Sequence, residues 1–383
     1  MREEILTRGV EKIYPSTEAL TERLRLGQPL KVYWGIDPTG PDLHLGHLVP
    51  LLKLRDLAEA GHETLIVVGD FTAMVGDPTD KKATRQQLTV GEVKENLRGY
   101  KKQLARIIDL AKVKIVFNSK WLAKLKFAEV LELASEFTVA QMLERDMFEK
   151  RFKAGEPIHL HEFFYPLMQG YDSVALGVDL EIGGNDQTFN MLAGRTLLKR
   201  AGKEKFVLTT KLLVDNNGKK MGKTEGNLAA FSDSPENMYG QIMSWGDELI
   251  PSSFELLTRL PDEEVKKILV GHPKEAKMCL ASEIVKLVYG EAKAKRAARD
   301  FQTKFSDGAM PAELPATQVA VGELLVDILL REKIVESKSD FRRLLDAGAI
   351  KELTGNKITA SDYCLSGDLD LQIGKKRFLK LRV

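Results

Sequence analysis

The sequence predicts an α/β protein whose first part is a doubly wound parallel sheet. Short segments rich in β-branched and aromatic residues are separated by segments with helical periodicity, an alternation typical of a parallel sheet covered by helices. The predicted strands are 31–36, 64–68 and 113–117, and the predicted helices are 45–59, 127–142 and 188–200. Ligands of such sheets bind at the carboxyl ends of the strands, where Tyr33-Trp34-Gly35 and Gly69-Asp70 fall.

Composition places the chain among ordinary globular proteins of two or three domains. It has 383 residues, of which 43% are hydrophobic and 29% are charged. Its two cysteines, Cys279 and Cys364, are far apart, which indicates a reducing compartment without a disulfide framework. Because no apolar run approaches bilayer length and no signal-peptide pattern is present, we expect a cytoplasmic protein with no membrane partner. The net charge of +2 is too small to indicate a nucleic-acid partner by itself.

The pattern changes twice along the chain, which predicts three domains. We expect a Rossmann-like domain over residues 1–230, an α-helical domain with a linker over 231–315, and a small α+β domain over 316–383. Basic residues are clustered in the last domain, and a helix would place Lys338 and Arg342 on one side. Such a cluster suits contact with phosphates rather than reading of bases, although the pattern alone leaves open a small solvated cap.

Two imidazoles lie three residues apart where the first predicted strand gives way to a helix. They belong to the segment Asp42-Leu43-His44-Leu45-Gly46-His47. The first turn of a helix offers unpaired N–H groups and the positive end of the helix dipole, so we expect His44 and His47 to donate to phosphate there. Gly46 has no Cβ and lets a flat adenine ring lie against the backbone.

Two lysines lie three residues apart further along the chain, in Lys220-Met221-Gly222-Lys223-Thr224. Lys220 and Lys223 are point charges on a polar, glycine-flanked segment that can close after a nucleotide binds. Activation of an acid by ATP places negative charge on the departing pyrophosphate, and a protein stabilises it by positioning and preorganised positive charge. The histidine pair and the lysine pair together therefore favour nucleotide activation.

Two other interpretations of these segments fit the sequence less well. A His-x-x-His pair can bind a metal, but six histidines and two distant cysteines form no zinc constellation, so we expect no protein-bound metal. The tripeptide Gly222-Lys223-Thr224 resembles the end of a P-loop, which requires a glycine at position 217, where this chain has asparagine.

A third polar set consists of Tyr165, Gln169 and Asp172, spaced i, i+4 and i+7 so that a helix places them on one face. A phenol, an amide and a carboxylate suit a ligand that is a zwitterion at one end and a phenol at the other. The spacing alone leaves open a buried hydrogen-bonded network without a ligand. Pro166 fits a first helical turn, so Tyr165 is expected close to the helix start.

The two signatures resemble the HIGH and KMSKS signatures of class I aminoacyl-tRNA synthetases. Four further stretches extend the resemblance to the bacterial-type tyrosyl-tRNA synthetases over essentially the whole chain, namely 33–40, 76–82, 164–172 and 181–187. The segments 337–350, 356–358 and 373–377 resemble an S4 RNA-binding domain. The resemblance implies a class I synthetase Rossmann-like sheet, followed by an α-helical domain and a small α+β S4-like domain.

The implied activity is that of a tyrosine–tRNA ligase, which activates tyrosine with ATP and Mg²⁺ and transfers it to the terminal ribose of tRNA(Tyr). By the resemblance, Tyr33 and Asp172 would meet the phenolic hydroxyl of tyrosine. The ammonium group would be held by Asp77, Tyr165 and Gln169, with Gln187 beside the reacting carboxyl group. Discrimination against phenylalanine would follow, because it leaves the hydroxyl-binding groups unpaired; a tyrosyl-tRNA synthetase is itself the standard example of this effect.

The resemblance also implies residues for ATP and for RNA. Gly184 and Asp186 would receive the ribose, and Lys81 and Arg85 would reach the pyrophosphate in the transition state. The implied catalytic residues are His44, His47, Thr39, Lys81, Arg85, Lys220, Lys223 and Thr224. The implied ATP-binding residues are Asp37, Gly46, Gly184, Asp186 and Lys223. The implied RNA-binding residues are Lys338, Arg342, Arg343, Lys375, Lys376 and Arg377.

The resemblance further implies a homodimer, with the region 148–164 as its contact surface. One alternative is a tryptophanyl enzyme of the same fold, which the pair Tyr33 and Asp172 disfavours. The other is a synthetase-derived RNA-binding protein without catalysis, which the intact histidine and lysine pairs disfavour. Gly222 and Thr224 stand where serines are usual in the family, and the ribose segment also departs from its commonest form, which indicates a divergent subgroup.

Overall fold

Two compact units make up the chain, Met1–Ala298 and Arg299–Val383. The computed structural model describes residues 4–78, 88–215, 220–221, 229–306, 316–332, 334–335, 337–353, 356–374 and 377–383. The first unit contains the predicted Rossmann-like region together with most of the predicted helical region. The division into three domains stays a prediction.

A six-stranded sheet lies at the centre of the first unit. Its strands are β1 (Val10–Tyr14), β2 (Lys31–Ile36), β3 (Glu63–Val68), β4 (Val113–Phe117), β5 (Leu180–Gly184) and β6 (Phe206–Thr210). Their order is β1-β6-β5-β2-β3-β4, with β1 antiparallel to β6 and the remaining pairs parallel. The chain runs outward from β2 through β3 to β4, then returns to β5 on the other side of β2. The carboxyl ends of β2 and β5 therefore border the crevice where such sheets bind ligands.

The predicted strands are observed, and three more complete the sheet. β2 and β4 have the predicted bounds, and β3 begins one residue earlier, at Glu63. All residues of β3 after Glu63 are buried, as expected of an inner strand covered on both faces. The pattern did not single out β1, β5 or β6. β1 is a short edge strand with only Ile13 buried, and β5 ends in two glycines, so neither has a strong strand signal.

Twelve α-helices are described between residues 4 and 200. They are α1 (Glu4–Thr7), α2 (Thr17–Arg25), α3 (Leu45–Glu59), α4 (Thr72–Val75), α5 (Val90–Leu97), α6 (Tyr100–Leu104), α7 (Ser119–Leu122), α8 (Phe127–Ser135), α9 (Val139–Leu143), α10 (Asp146–Lys153), α11 (Phe164–Leu176) and α12 (Thr188–Arg200). The predictions for α3 and α12 are confirmed to the residue. The single helix predicted over 127–142 is wrong, because Thr138 starts a new helix: its side chain caps Gln141 N–H, and the Gln141 side chain accepts Thr138 N–H in return.

From residue 235 onward, the described part of the first unit is helical. Its α-helices are α13 (Pro235–Met243), α14 (Ile250–Leu257), α15 (Asp262–Val270), α16 (Pro273–Tyr289) and the start of α17 (Glu291–Ser306). α16 is central, since α13, α14 and α15 all contact it and it buries Leu280, Ile284 and Val288. α14 also packs on α3, so the helical region shares the core of the sheet region.

The second unit is a small α+β fold with its own core. It contains β7 (Ala316–Gln318), α18 (Leu325–Arg331), α19 (Lys338–Asp346), β8 (Ile350–Glu352), β9 (Leu369–Ile373) and β10 (Arg377–Arg382). The strand order is β7-β10-β9-β8, and β9 and β10 are an antiparallel pair next to Gly374, whose φ of 66° suits a tight turn. Leu325, Leu329, Phe341 and Leu371 belong to the buried cluster that joins the helices to the sheet. Across the described parts of both units, no helix is long and apolar enough to span a bilayer.

Candidate active site

The two histidines form the first turn of α3, just beyond the carboxyl end of β2. His44 is the N-cap residue, and its Nδ1 accepts the backbone N–H of Gly46 at 3.2 Å. His47 Nδ1 accepts the backbone N–H of His44 at 3.1 Å, and the two rings stack with centroids 3.8 Å apart. Because both Nδ1 atoms accept hydrogen bonds, each neutral ring carries its proton on Nε2, which is the atom that can donate to phosphate.

Burial lowers the pKa of His47 well below its usual range, and the neighbouring charges of His44 and Lys220 lower it further. His47 is therefore neutral at physiological pH and acts as a hydrogen-bond donor rather than as a cation. The effect of Lys220 on His47 also shows that the two signatures lie within electrostatic reach of each other.

Backbone pairing joins the chain after the second signature to the first signature. Leu45 N–H donates to Ala229 C=O at 3.1 Å, and Phe231 N–H donates to Leu43 C=O at 2.7 Å. His44 and Ala230 form the antiparallel bridge between these bonds. The strand-like segment 229–231 thus seals the turn that holds the histidines.

Of the second signature, the structure describes Lys220 and Met221. Met221 N–H donates to Leu213 C=O at 2.8 Å, which ties the segment to the chain that leaves β6. Lys220 Nζ lies 2.6 Å from Asp186 Oδ2. Gly184 ends β5 beside it, and a Cβ there would lie 2.5 Å from Asp186 Oδ1, so a side chain would displace this carboxylate. The expected ribose residues and the expected phosphate lysine are therefore neighbours.

Asp37 and Tyr165 meet at the carboxyl end of β2. Tyr165 Oη donates to Asp37 Oδ2 at 2.9 Å, and Thr72 Oγ1 donates to Asp37 Oδ1 at 2.7 Å. Tyr165 is the second residue of α11, so the expected position near the helix start is confirmed. Burial and the nearby charge of Asp37 raise the pKa of Tyr165 well above its usual range, so its hydroxyl stays protonated. Because the hydroxyl hydrogen of Tyr165 forms the hydrogen bond to Asp37, the lone pairs of Tyr165 Oη can accept hydrogen bonds from a ligand.

Two amide side chains beside Tyr165 have fixed orientations. Gln169 Nε2 donates to Glu181 Oε1 at 3.0 Å, which leaves Gln169 Oε1 as an acceptor. Gln187 Nε2 donates to Asp77 Oδ2 at 2.6 Å, and Gln187 Oε1 accepts from Asn190 at 2.9 Å. Asp77, Tyr165 and Gln169 therefore provide acceptors, which matches the three N–H donors of an ammonium group.

Asp172 lies at the buried end of the same face of α11. Trp121 Nε1 donates to Asp172 Oδ1 at 2.7 Å, and Asn118 Nδ2 donates to Asp172 Oδ2 at 3.3 Å. Burial raises the pKa of Asp172 well above its usual range, against the opposing effect of these two donors, and the charge of Glu181 adds to the rise. The carboxyl group is thus held in place and is costly to ionise without a further partner.

Tyr33 on β2 is fully buried, and its Oη lies 3.0 Å from Ser173 Oγ. Burial, with the charges of Glu181 and Asp172, raises its pKa well above the usual range. The expected pair of Tyr33 and Asp172 is therefore within electrostatic reach, but the hydrogen bond recorded for Tyr33 goes to Ser173. Thr39, two residues after Asp37, is exposed beyond the end of β2.

The expected RNA-binding residues lie in the second unit. Lys338, Arg342 and Arg343 are exposed on α19, Lys338 and Arg342 one turn apart. Arg343 Nη2 is paired with Asp340 Oδ1 at 2.6 Å, and Lys338 Nζ lies 3.9 Å from Asp327 Oδ1. Several expected site residues lie outside the described residues, namely Lys81, Arg85, Lys223, Thr224, Lys375 and Lys376. The backbone of Arg377 begins β10, but its side chain is not among those described.

Sequence reasoning missed the residues that hold the expected site residues in place. Trp121 and Asn118 fix Asp172, and Thr72 fixes Asp37. A usable signal existed for Asn118, because it directly follows β4 and therefore lies at the same edge of the sheet as the other strand ends. Trp121 and Thr72 belong to no motif.

Comparisons with known proteins agree with this geometry. The family described as "tRNA synthetases class I (W and Y)" matches residues 25–306. Two curated relatives are named tyrosine–tRNA ligase. The one from Carboxydothermus hydrogenoformans is 45% identical, covering 99% of this chain and 97% of the relative. The one from Moorella thermoacetica is 44% identical, covering 98% of this chain and 94% of the relative.

Solved structures show the same fold. A C-terminally truncated mitochondrial tyrosyl-tRNA synthetase from Coccidioides posadasii is 25% identical to this chain, with a TM-score of 0.65. The match covers 78% of this chain and 92% of that one. The α/β architecture inferred from the strand and helix pattern is thereby confirmed, as is the class I resemblance inferred from the two signatures. The chain belongs to the class I aminoacyl-tRNA synthetases and, within them, to the tyrosine–tRNA ligases that include the bacterial ones.

Proposed function

We propose that the crevice at the ends of β2 and β5 activates L-tyrosine with ATP, giving tyrosyl-adenylate and pyrophosphate, and then transfers tyrosine to the terminal ribose of tRNA(Tyr) with release of AMP. The carboxylate oxygen of tyrosine attacks the α-phosphorus of ATP, and the bond to the pyrophosphate oxygen breaks. Mg²⁺ enters with ATP as part of the substrate. The observation that carries the proposal is the seal between 229–231 and the first turn of α3, which fixes the two histidines just beyond the carboxyl end of β2.

The ammonium group of tyrosine is assigned to Asp77, Tyr165 and Gln169. Tyr165 and Gln169 offer acceptors because their own N–H or O–H groups already donate to Asp37 and Glu181, and Asp77 is a carboxylate that only accepts. Gln187 holds Asp77 and lies beside the reacting carboxyl group. A charged ammonium group among a carboxylate and two dipolar acceptors is well solvated by the protein, so the substrate is oriented before it reacts.

The phenol of tyrosine is assigned to the buried end, between Asp172 and Tyr33. Asp172 is costly to ionise alone, and the phenolic O–H supplies the hydrogen bond that stabilises the carboxylate. Phenylalanine provides no such group and leaves buried polar atoms unpaired, which is the physical basis of strong discrimination.

The phosphates of ATP are assigned to His44, His47 and the second signature. The two Nε2–H groups at the start of α3 and the ammonium groups of Lys220 and Lys223 meet charge that grows on the pyrophosphate. Lys81, Arg85, Thr39 and Thr224 are assigned to the same charge by the resemblance. Gly184 and Asp186 are assigned to the ribose, and Asp37 and Gly46 to further ATP contacts.

We assign the second unit to tRNA contact, through Lys338, Arg342 and Arg343 on α19 and through Lys375, Lys376 and Arg377. We also propose a homodimer in the cytoplasm. The homodimer is supported by large apolar side chains that are exposed on the segment from α8 to the start of α11, among them Phe127, Val139, Phe152 and Leu160. Phe148 is buried against Phe163, so the exposed side chains around it, rather than Phe148 itself, form the proposed contact.

Exchange of labelled pyrophosphate into ATP tests the proposed reaction. Exchange should depend on tyrosine and be at least a thousandfold less efficient with tryptophan or phenylalanine, because neither carries the phenolic hydroxyl. Equal exchange with tryptophan would contradict the assignment of the buried end of the pocket. Binding of tRNA without any exchange would favour an RNA-binding protein that has lost catalysis.

A further inference from the structure

A buried ion pair lies behind the pocket, outside both signatures. Glu181 is the second residue of β5 and Lys205 immediately precedes β6, and their side chains are 1% and 0% exposed. Lys205 Nζ contacts Glu181 Oε2, donates to Ser173 Oγ at 2.7 Å and donates to Met191 C=O at 2.9 Å. The three N–H donors of the ammonium group are thus all used, so this cation has no capacity left to bind a ligand itself.

The helices α11 and α12 are packed around this cation. A Cβ on Gly194 of α12 would lie 2.6 Å from both Lys205 Nζ and Ser173 Oγ, and a Cβ on Gly170 of α11 would lie 3.1 Å from Gly194 N. The absence of both side chains lets the helices approach closely while leaving room for the ammonium group at their crossing. The lysine is therefore an integrated part of the packing and not a surface residue folded inward.

The ion pair reaches both ends of the tyrosine pocket. At the ammonium end, Glu181 Oε1 accepts Gln169 Nε2–H at 3.0 Å and so leaves the side-chain oxygen Oε1 of Gln169 as an acceptor for the ligand. At the phenol end, Ser173 Oγ accepts from Lys205 and donates to Glu181 Oε2 at 3.4 Å. Ser173 Oγ then has one lone pair left for Tyr33, so Tyr33 is the donor in their 3.0 Å contact.

The direction of this chain of hydrogen bonds matters for recognition. A Tyr33 hydroxyl that donates to Ser173 keeps its lone pairs for an incoming donor, so the single phenolic O–H that we assign to Asp172 can be shared with Tyr33 in a three-centre hydrogen bond. Replacing a buried ion pair by apolar residues is often neutral or stabilising, so stability alone does not account for it. We propose that Lys205 and Glu181 are positioning residues that set the hydrogen-bond direction at both ends of the pocket and thereby determine selectivity for tyrosine over phenylalanine.

The inference rests on the proposed activity, and its test uses exchange kinetics of the full-length chain with tyrosine and with phenylalanine. In Glu181→Gln the new amide N–H donates to Ser173 Oγ, so Ser173 donates in turn to Tyr33 and the direction of the hydrogen bonds is reversed. Tyr33 Oη then accepts from Ser173 and no longer serves as the acceptor for the ligand. We expect KM for tyrosine to rise at least tenfold with kcat within threefold of the unaltered chain. The ratio of kcat/KM for tyrosine to that for phenylalanine should fall at least tenfold.

A double variant, Lys205→Met with Glu181→Gln, separates positioning from stability. Lys205→Met alone leaves a buried carboxylate without its cation and should unfold at a clearly lower temperature. The double variant removes both charges, so its Tm should recover most of that loss while the tyrosine-to-phenylalanine ratio stays low. It also supplies the test if Lys205→Met does not fold.

The matched control is Arg259→Met, which breaks the half-buried ion pair of Arg259 with Asp56 (2.8 Å) elsewhere in the same unit. It should lower Tm without changing the tyrosine-to-phenylalanine ratio. An unchanged ratio in folded Glu181→Gln and in the double variant, or an equal fall in the control, would overturn this inference alone. Absence of tyrosine-dependent exchange in the unaltered chain would overturn the proposed function and the inference with it.

Discussion

The ammonium group of Lys220 lies 2.6 Å from the carboxylate of Asp186, so the second signature is tied to the residue that we assign to the ribose of ATP. When ATP binds, the contact between Lys220 and Asp186 must be replaced by contacts of Asp186 with the ribose and of Lys220 with the phosphates. The pair therefore holds the lysine close to its place of action at little cost, because an exposed ion pair is worth only about 0–1 kcal/mol.

Lys220→Ala should lower kcat of pyrophosphate exchange by about 10²–10³-fold, the typical effect of removing one preorganised donor to transition-state charge. The affinity for tyrosine, measured by equilibrium dialysis, should stay within twofold because this lysine is not among the residues assigned to tyrosine. Lys211→Ala is the control, since Lys211 is a partly exposed lysine paired with Glu255 at 2.9 Å. A large loss of tyrosine binding with an unaltered kcat would refute the assigned role.

Trp121→Phe should weaken tyrosine recognition while keeping the aromatic ring. It removes the 2.7 Å hydrogen bond to Asp172, and a hydrogen bond to a charged group contributes about 1.5–3 kcal/mol, so KM for tyrosine should rise by about 10- to 100-fold. Trp245→Phe is the control, because no acceptor among the described residues reaches the buried Trp245 Nε1. Its KM should be unchanged. Similar KM values in both variants would mean that Trp121 does not position Asp172.

Lys53 should make the stability of the first unit change with pH in the alkaline range. Its side chain is buried on α3 and donates to the carbonyls of Glu4 and Ile5, and burial lowers its pKa to about 8. Between pH 8 and 10.5 the unfolded chain binds this proton and the folded chain does not, so stability rises with pH. Relative to Lys53→Met, the free energy of unfolding should gain up to about 3 kcal/mol across that window. Parallel pH profiles in urea denaturation would exclude this titration.

A chain ending near residue 315 should separate the two halves of the reaction. The residues assigned to activation precede residue 230, and each unit has its own core, so the truncated chain should fold and exchange pyrophosphate within threefold of the full chain. It should charge tRNA poorly, and the lost affinity should be the salt-sensitive part, because cations that neutralise phosphates release counterions. The full-length chain is assayed in parallel over a range of salt concentrations. Equal loss of both activities in a folded truncated chain, or retention of both, would contradict the role of the second unit.

Local signals predicted the parts of the site that are local in structure. The start of α3 follows from a strand, a turn and two capping histidines that are adjacent in sequence, and the face of α11 follows from helical spacing. The supporting residues depend on tertiary approach. Lys203 and Lys205 lie two residues apart in one polar stretch, yet Lys203 is partly exposed beside Asp179 and Lys205 is fully buried. The exposure of the two lysines differs because Lys205 lies where α11 and α12 cross at Gly194. No local sequence pattern indicates that crossing.

The pairing of Leu43 with Phe231 has a consequence for biosynthesis. A ribosome delivers the histidines early, but the strand that seals their turn is added only after the whole sheet has been translated. A nascent chain that stops before this strand therefore carries only one half of the nucleotide site and is not expected to form adenylate. We expect the site to become complete once the segment 229–231 has paired with the start of α3 and the first unit has folded, before the second unit is finished.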